Sequence, residues 1–321
     1  LWNAEDPFLY PLEISLYRGD QLIEMHSKKI GMMHSEIQGP HFLVNGAPVY
    51  FKGVNRHETS PDNGRAIPDE MIEREVKMIK ANNLNAIRCS HYPNNPCFYE
   101  WCSELGIYVM DEADLESHGC GETGDQGYLS KRADWRDAYL DRVRRMLELD
   151  KNDVCVFIHS MGNECGYGQN MRDGQILAEQ FDPDHVAVHQ METNFKKLLY
   201  HEKLELGDVL LRVGYLSEEK LREMDACMPI YMQVEYAHAM GNSPGFLRGY
   251  QDFTYSHDKC IGGFVWEFKS HSIQRVNADG SVDYLYGGDF HDRGHWSNFC
   301  LDGYLMANGT PKHTWYELGD V

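Results

Sequence analysis

The stretch Val154-Cys155-Val156-Phe157-Ile158-His159-Ser160-Met161-Gly162-Asn163-Glu164 starts as an apolar, β-prone run and ends, just past a glycine, in a carboxylate. Ile230-Tyr231-Met232-Gln233-Val234-Glu235 follows the same plan. Outward from these two, strand-like runs fall at 49–54, 86–89, 107–110, 154–158, 186–188, 209–213, 230–234 and 263–265. Helical periodicity at 69–81, 96–105, 135–149, 169–181, 217–224 and 244–250 lies between most of them, faintest around the fifth strand and 192–206. Eight strands alternating with helices predict an α/β fold of the (β/α)8 barrel, or TIM barrel, type.

In such a barrel the chemistry gathers at the C-terminal mouth, where each strand runs into its loop. The predicted strand ends read Asn55-Arg56-His57, Arg88-Cys89-Ser90-His91, Asp111-Glu112, Asn163-Glu164, Tyr215, Glu235 and Trp266. A single His or Arg in that position is ordinarily a loop hydrogen-bonder; recurrence at the same end of successive strands points to a site. Two carboxylates on rigid strand ends are what glycoside hydrolysis requires. One gives a proton to the leaving oxygen while the other attacks or stabilises the sugar cation.

Composition bounds the reading. A chain of 321 residues, 42% hydrophobic and 12% aromatic, can bury a full-sized core in one main domain. Its formal charge of −20 opposes nucleic acid and acidic membranes and favours a neutral substrate. Nine cysteines without a CxxC pair predict reduced thiols and a cytoplasmic setting. No apolar run approaches the ~18 residues of a membrane span, and the first residues lack a leader pattern. The chain begins with Leu1 and not methionine, as a fragment, a processed chain or an excised domain does. Residues 1–37 hold only β-like pieces at 9–16 and 21–26 around Arg18-Gly19-Asp20, an appendage to a barrel over 38–321. Asn45-Gly46, between 41–44 and 48–52, is a hairpin signal.

Longer motifs carry a resemblance. Gly53-Val54-Asn55-Arg56-His57-Glu58, Arg88-Cys89-Ser90-His91-Tyr92-Pro93-Asn94, Asp111-Glu112-Ala113 and Glu116-Ser117-His118-Gly119 occur in order along the chain. Gly162-Asn163-Glu164, Glu235-Tyr236-Ala237-His238-Ala239-Met240-Gly241-Asn242-Ser243 and Tyr286-Gly287-Gly288-Asp289-Phe290 follow them. Together they resemble glycoside hydrolase family 2 β-galactosidases. The resemblance implies Glu164 as general acid/base and Glu235 as the nucleophile of a retaining reaction on terminal β-galactosides. It implies a magnesium site at Glu116, His118 and Glu164, a donor set of the hard oxygen type that magnesium prefers. Arg88 and Tyr215 are implied to hold the nucleophile, Asn163, His57, His91 and His238 to bind sugar hydroxyls, and Trp266 to stack on the sugar. Phe299 and Asp302 fall at the positions of a sodium and substrate O6 site, which is incomplete here. Residues 1–37 match the last strands of an immunoglobulin-like β-sandwich, so accessory domains or homo-oligomer contacts are implied as further partners.

The sequence also departs from that family pattern. His159 stands where tryptophan is expected, and Gly31-Met32-Met33 replaces Gly-Phe-Arg. Trp266-Glu267-Phe268-Lys269-Ser270-His271 lacks the usual aspartate, and Asp182-Pro183-Asp184-His185-Val186 replaces Asp-Pro-x-Arg-Pro. A histidine smaller than the expected indole predicts either a larger neighbour or an ordered water against His159, or a loosened Asn163-Glu164 loop.

Other motifs fail on physical grounds. Gly241-Asn242-Ser243-Pro244-Gly245 fits a nucleophile elbow, but Pro244 has no N–H for an oxyanion hole, so Ser243 reads as a helix N-cap. Asp111-Glu112-Ala113-Asp114 lacks a phosphate loop, Glu235-x-x-His238 lacks a second half-site, and sixteen histidines include no HExxH. Two functions stay open: a retaining β-galactosidase barrel, and a carbohydrate-binding or structural barrel that keeps the carboxylates without turnover.

Overall fold

The computed structural model describes residues 1–183, 186–191, 210–213, 219, 222, 230–241 and 244–321. A long antiparallel hairpin, β1 (Tyr10–Arg18) and β2 (Gln21–Ile30), stands out from the body with nearly every residue exposed. It is tied back by Lys28 to Asp153 at 2.8 Å and Lys29 to Glu104 at 2.7 Å. Before it, Trp2 is fully buried, donates from Nε1 to Ser103 O at 2.8 Å and packs edge-on against Tyr108. The first residues therefore belong to the core of the body.

A small sheet of β3 (Ser35–Gln38), β4 (His41–Val44) and β5 (Ala47–Pro48) comes next. Asn45 (φ 52) and Gly46 (φ 82) make its turn in the left-handed region that this dipeptide tolerates. The predicted arm at 48–52 is divided: Ala47–Pro48 pairs with β4, and the chain enters the barrel only at Phe51. Pro48 sits opposite Leu43, and Val49 N still donates to Phe42 O at 3.0 Å before the chain turns into the barrel. Phe42 of β4 packs against Phe51 and Phe157, so the sheet closes off one end of the core.

The body is built from β6 (Phe51–Arg56), β7 (Ala86–Cys89), β8 (Tyr108–Glu112), β9 (Val156–Ser160), β10 (Val186–Met191), β11 (Leu210–Val213), β12 (Tyr231–Tyr236) and β13 (Cys260–Val265). All neighbouring pairs are parallel, and the order β10-β11-β12-β13-β6-β7-β8-β9 closes on itself. Gly263 allows β13 to lie close to β12: a Cβ there would meet Gln233 O at 2.2 Å.

Helices α1 (Asp69–Ala81), α2 (Pro96–Leu105), α3 (Arg136–Asp150), α4 (Gln169–Phe181), α5 (Leu247–Ser256) and α6 (His313–Asp320) are described around the strands. In α1 the residues Ile72, Val76 and Ile79 form the buried stripe, and Asp69 and Glu70 favour its N-terminus. Asn95 caps α2 through Cys97 N at 3.0 Å, Pro96 is its first residue, and Gly106 (φ 75) stops it. The predicted 244–250 helix begins later, at Leu247 after Phe246 (φ 66); Ser243 and the predicted helix at 217–224 fall largely outside the described residues. A hairpin of β14 (Ile273–Val276) and β15 (Val282–Leu285) and the helix α6 are additions to the predicted elements.

Candidate active site

Parallel strands that all leave the barrel at one end bring their next residues together, and Arg88 at the end of β7 is the centre of that cluster. It is fully buried. Its Nη1 donates to Glu235 Oε1 at 2.9 Å and to Asn55 Oδ1 at 3.0 Å, and Nη2 donates to Asn163 Oδ1 at 2.9 Å. Nε donates to Glu112 Oε2 at 2.9 Å. Four strand ends are thus cross-linked through one planar guanidinium, whose fixed fork suits two carboxylates at once.

Glu112 was missing from the sequence-predicted site residues. Besides Arg88 it accepts from Ser160 Oγ at 2.8 Å and lies 2.7 Å from His91 Nδ1. Burial acts to raise its carboxyl, but Arg88 and His91 outweigh burial and hold it at about 2. It stays ionised and keeps Arg88 anchored. The sequence signals at this position were its place at a strand end and the Asp111-Glu112-Ala113 motif.

Glu164 faces a different environment. Burial, followed by the charge of neighbouring Glu235, pushes its carboxyl above the ordinary range, while His118 works the other way. Its backbone is left-handed (φ 43), and Gln126 Nε2 holds its carbonyl at 2.8 Å. An isolated bridge between Glu116 and Asn163 draws the 113–118 loop onto this strand end, where Asn163 Nδ2 donates to Glu116 Oε2 at 2.6 Å. His118 Nδ1 pairs with Glu164 Oε2, and one ligand atom from each of Glu116, His118 and Glu164 lies within 4.8 Å of the others. Two carboxylates and an imidazole beside solvent fit a hard divalent cation completed by water.

The opposite wall is aromatic. His91 and Trp266 stack at 5.4 Å between centroids, and His57 sits edge-on to both. Trp266 Nε1 donates to Asp302 Oδ2 at 2.8 Å, and His238 Nε2 lies 3.4 Å from the same oxygen. Burial pushes Asp302 up to about 6. Asp302 Oδ1 is buried with no hydrogen-bond partner among the described residues. Phe299, which is exposed, tilts against His238 at 5.5 Å. Glu267, also absent from the predicted site residues, lies behind His57 and His271; Tyr215 lies outside the described residues.

Two of the departures have physical answers, at His159 and at Lys269. His159 Nε2 lies 3.0 Å from Asp150 Oδ2, so a buried carboxylate at the end of α3 is a polar partner of this ring. Lys269 forms a buried pair with Glu75, which also accepts from Arg56 Nε at 3.0 Å. Asp184 and His185 lie outside the described residues.

The sequence profile of glycosyl hydrolases family 2, TIM barrel domain, matches residues 35–320, and that of glycosyl hydrolases family 2 matches residues 1–32. The chain belongs to glycosyl hydrolase family 2. Among its family relatives, a β-galactosidase of Staphylococcus xylosus is 36% identical over 99% of this chain and 32% of its own length. One of Pectobacterium atrosepticum is 35% identical over 99% of this chain and 31% of its own length. The chain therefore spans about a third of the curated relatives it matches. A β-D-glucuronidase structure from Dictyoglomus thermophilum superposes with TM-score 0.78 at 19% identity over all of this chain and 58% of that one. A family 2 β-galacturonidase from Eisenbergiella tayi gives TM-score 0.73 at 19% identity over 99% of this chain and 59% of that one. At such identity they share the fold.

Proposed function

We propose that this chain is the catalytic barrel of a retaining β-galactosidase, with Glu235 as nucleophile and Glu164 as general acid/base. The observation that carries this reading is the pair of unequal carboxylate environments. Arg88 donates to Glu235 at 2.9 Å, whereas burial and the nearby Glu235 keep Glu164 inclined to hold a proton. In the first step Glu235 attacks the anomeric carbon and forms a glycosyl ester, and the aglycone leaves with the proton of Glu164. In the second, Glu164 takes a proton from water, the water oxygen bonds to the anomeric carbon, and the ester bond to Glu235 breaks. Double displacement retains configuration and requires the carboxyl groups to lie about 5–5.5 Å apart.

The stacked His91 and Trp266, with His57 and His238, supply the apolar face and polar atoms that a sugar needs. Glu116, His118 and Glu164 would hold a magnesium ion, which supplies electrostatic support to the acid/base position. Asp302 Oδ1, which has no hydrogen-bond partner among the described residues, supports a sugar hydroxyl or a sodium ion as its ligand. The β-galactosidase relatives favour a galactoside over a uronide, and a neutral sugar suits a mouth carrying Asp302. We read the fold as a complete (β/α)8 barrel over 38–321, with 1–37 as residual sandwich strands that meet accessory domains or a second copy. Eight described cysteines are free thiols, which supports a cytoplasmic setting, and no described helix is long and apolar enough to cross a membrane.

The test is hydrolysis of an activated aryl β-galactoside by the chain and by Glu235→Gln. Turnover lost in the variant supports the reading. Sugar binding with no turnover in either protein supports the carbohydrate-binding barrel instead.

A further inference from the structure

We propose that His57, Glu267 and His271 form a transition-metal site in the pocket wall, one that takes zinc or cobalt and blocks the sugar site when filled. The blocking half rests on the glycosidase reading; the binding half does not.

One ligand atom from each residue lies within 4.8 Å of the others. Two imidazoles converge on a single carboxylate oxygen: His57 Nδ1 at 2.6 Å and His271 Nε2 at 3.2 Å from Glu267 Oε2. The rings lie 4.7 Å apart at 72° and so do not stack, while both nitrogens reach the same carboxylate oxygen. Four-coordinate zinc with bonds of about 2.0–2.1 Å separates its ligand atoms by ~3.3 Å. The His271 distance already matches that spacing, and a small rotation of His57 opens the other.

The donor set selects the metal. Two imidazoles and one carboxylate suit zinc or cobalt, whereas the two carboxylates and one imidazole of Glu116, His118 and Glu164 suit magnesium. The frame is fixed. Glu267 is buried, its N donates to Asp302 O at 3.2 Å and its carbonyl accepts from Tyr304 N at 2.8 Å, while His271 N donates to Cys300 O at 2.9 Å. His57 and His271 keep 17% and 30% of their side chains exposed, which leaves an entry path and an open coordination position. A metal here also lies against sugar-binding groups. The His57 ring is 5.4 Å from Trp266 and 5.5 Å from His91, so ligation withdraws His57 and places a cation at the aromatic wall.

The test uses the full chain, chelator-stripped, reduced and held in excess magnesium, titrated with cobalt and followed by visible absorption, then by zinc displacement. The expected result is a single tight equivalent with the bands of four- or five-coordinate cobalt, displaced by zinc. His271→Gln, which keeps an N–H for Glu267, should weaken binding by roughly tenfold or more, on the scale of ligand-sphere changes. It should also hydrolyse in zinc-free buffer while resisting zinc inhibition. Absence of binding, or equal binding by His271→Gln, overturns the site. Zinc bound without inhibition of an active chain overturns the blocking half. Binding as expected in a chain that hydrolyses nothing leaves the metal site standing and removes the glycosidase reading.

Discussion

Asp150 and His159 meet inside the barrel wall, with the imidazole Nε2 3.0 Å from a carboxylate oxygen and both side chains almost fully buried. Asp150, the last residue of α3, also raises the buried Asp111 carboxyl, second only to burial itself, and Tyr99 donates to Asp111 at 2.9 Å. The small ring at 159 is therefore part of a satisfied polar chain beneath the strand that carries Glu164.

Replacing His159 with tryptophan should destabilise the fold by about 3 kcal/mol, since overpacking adds to the loss of a partner for a buried carboxylate. Urea denaturation measures it. Higher activity at unchanged stability would show instead that histidine loosens the Glu164 loop, and no change in either would make the position irrelevant.

Glu112→Gln should cost about 3–5 kcal/mol, because it leaves the Arg88 guanidinium buried with half its carboxylate partners removed. The carboxyl is held at about 2 against an ordinary 4.5. A folded-state value below the unfolded one means stabilisation is complete above pH 4.5 and lost as pH falls towards 2, about 3 kcal/mol over that window. Acid titration of stability should show this loss in the parent and not in the variant.

Asp302→Asn should stabilise the protein above pH 6. Burial raises this carboxyl from 3.8 to about 6, so the charged form carries a penalty that is absent below pH 3.8 and full above pH 6. Asparagine still accepts from Trp266 and removes roughly 2–3 kcal/mol of that penalty. Thermal melts at pH 4 and pH 8 check it: the gain appears at the higher pH alone.

Glu116→Gln should weaken magnesium binding about tenfold or more and slow turnover, with far-UV circular dichroism unchanged. Kinetics indifferent to chelator in an active chain would show that Glu116, His118 and Glu164 hold no functional ion.

Much of this was legible along the chain. Asn95-Pro96 and Gly106 delimit α2, and the Ile72, Val76 and Ile79 spacing marks α1, because helix caps and periodicity are local signals. The hairpin β14–β15 carried such a signal in Asp279-Gly280, overlooked beside the barrel rhythm. Partners across the barrel were not legible. Glu112 and Glu235 are 24 and 147 residues from Arg88, and His271 meets His57 only because β13 pairs with β6. The start of α5 was placed too early because Pro244 is a common first helical residue, whereas the helix begins at Leu247 after the left-handed Phe246.

The account rests on Glu235 bonding covalently to the sugar, and a slow 2-fluoro β-galactoside with a good leaving group tests that directly. After incubation, peptide mass spectrometry should find one fluorogalactosyl group on Glu235, and Glu235→Gln should carry none. A label on another residue, or product of inverted configuration without any label, would contradict it.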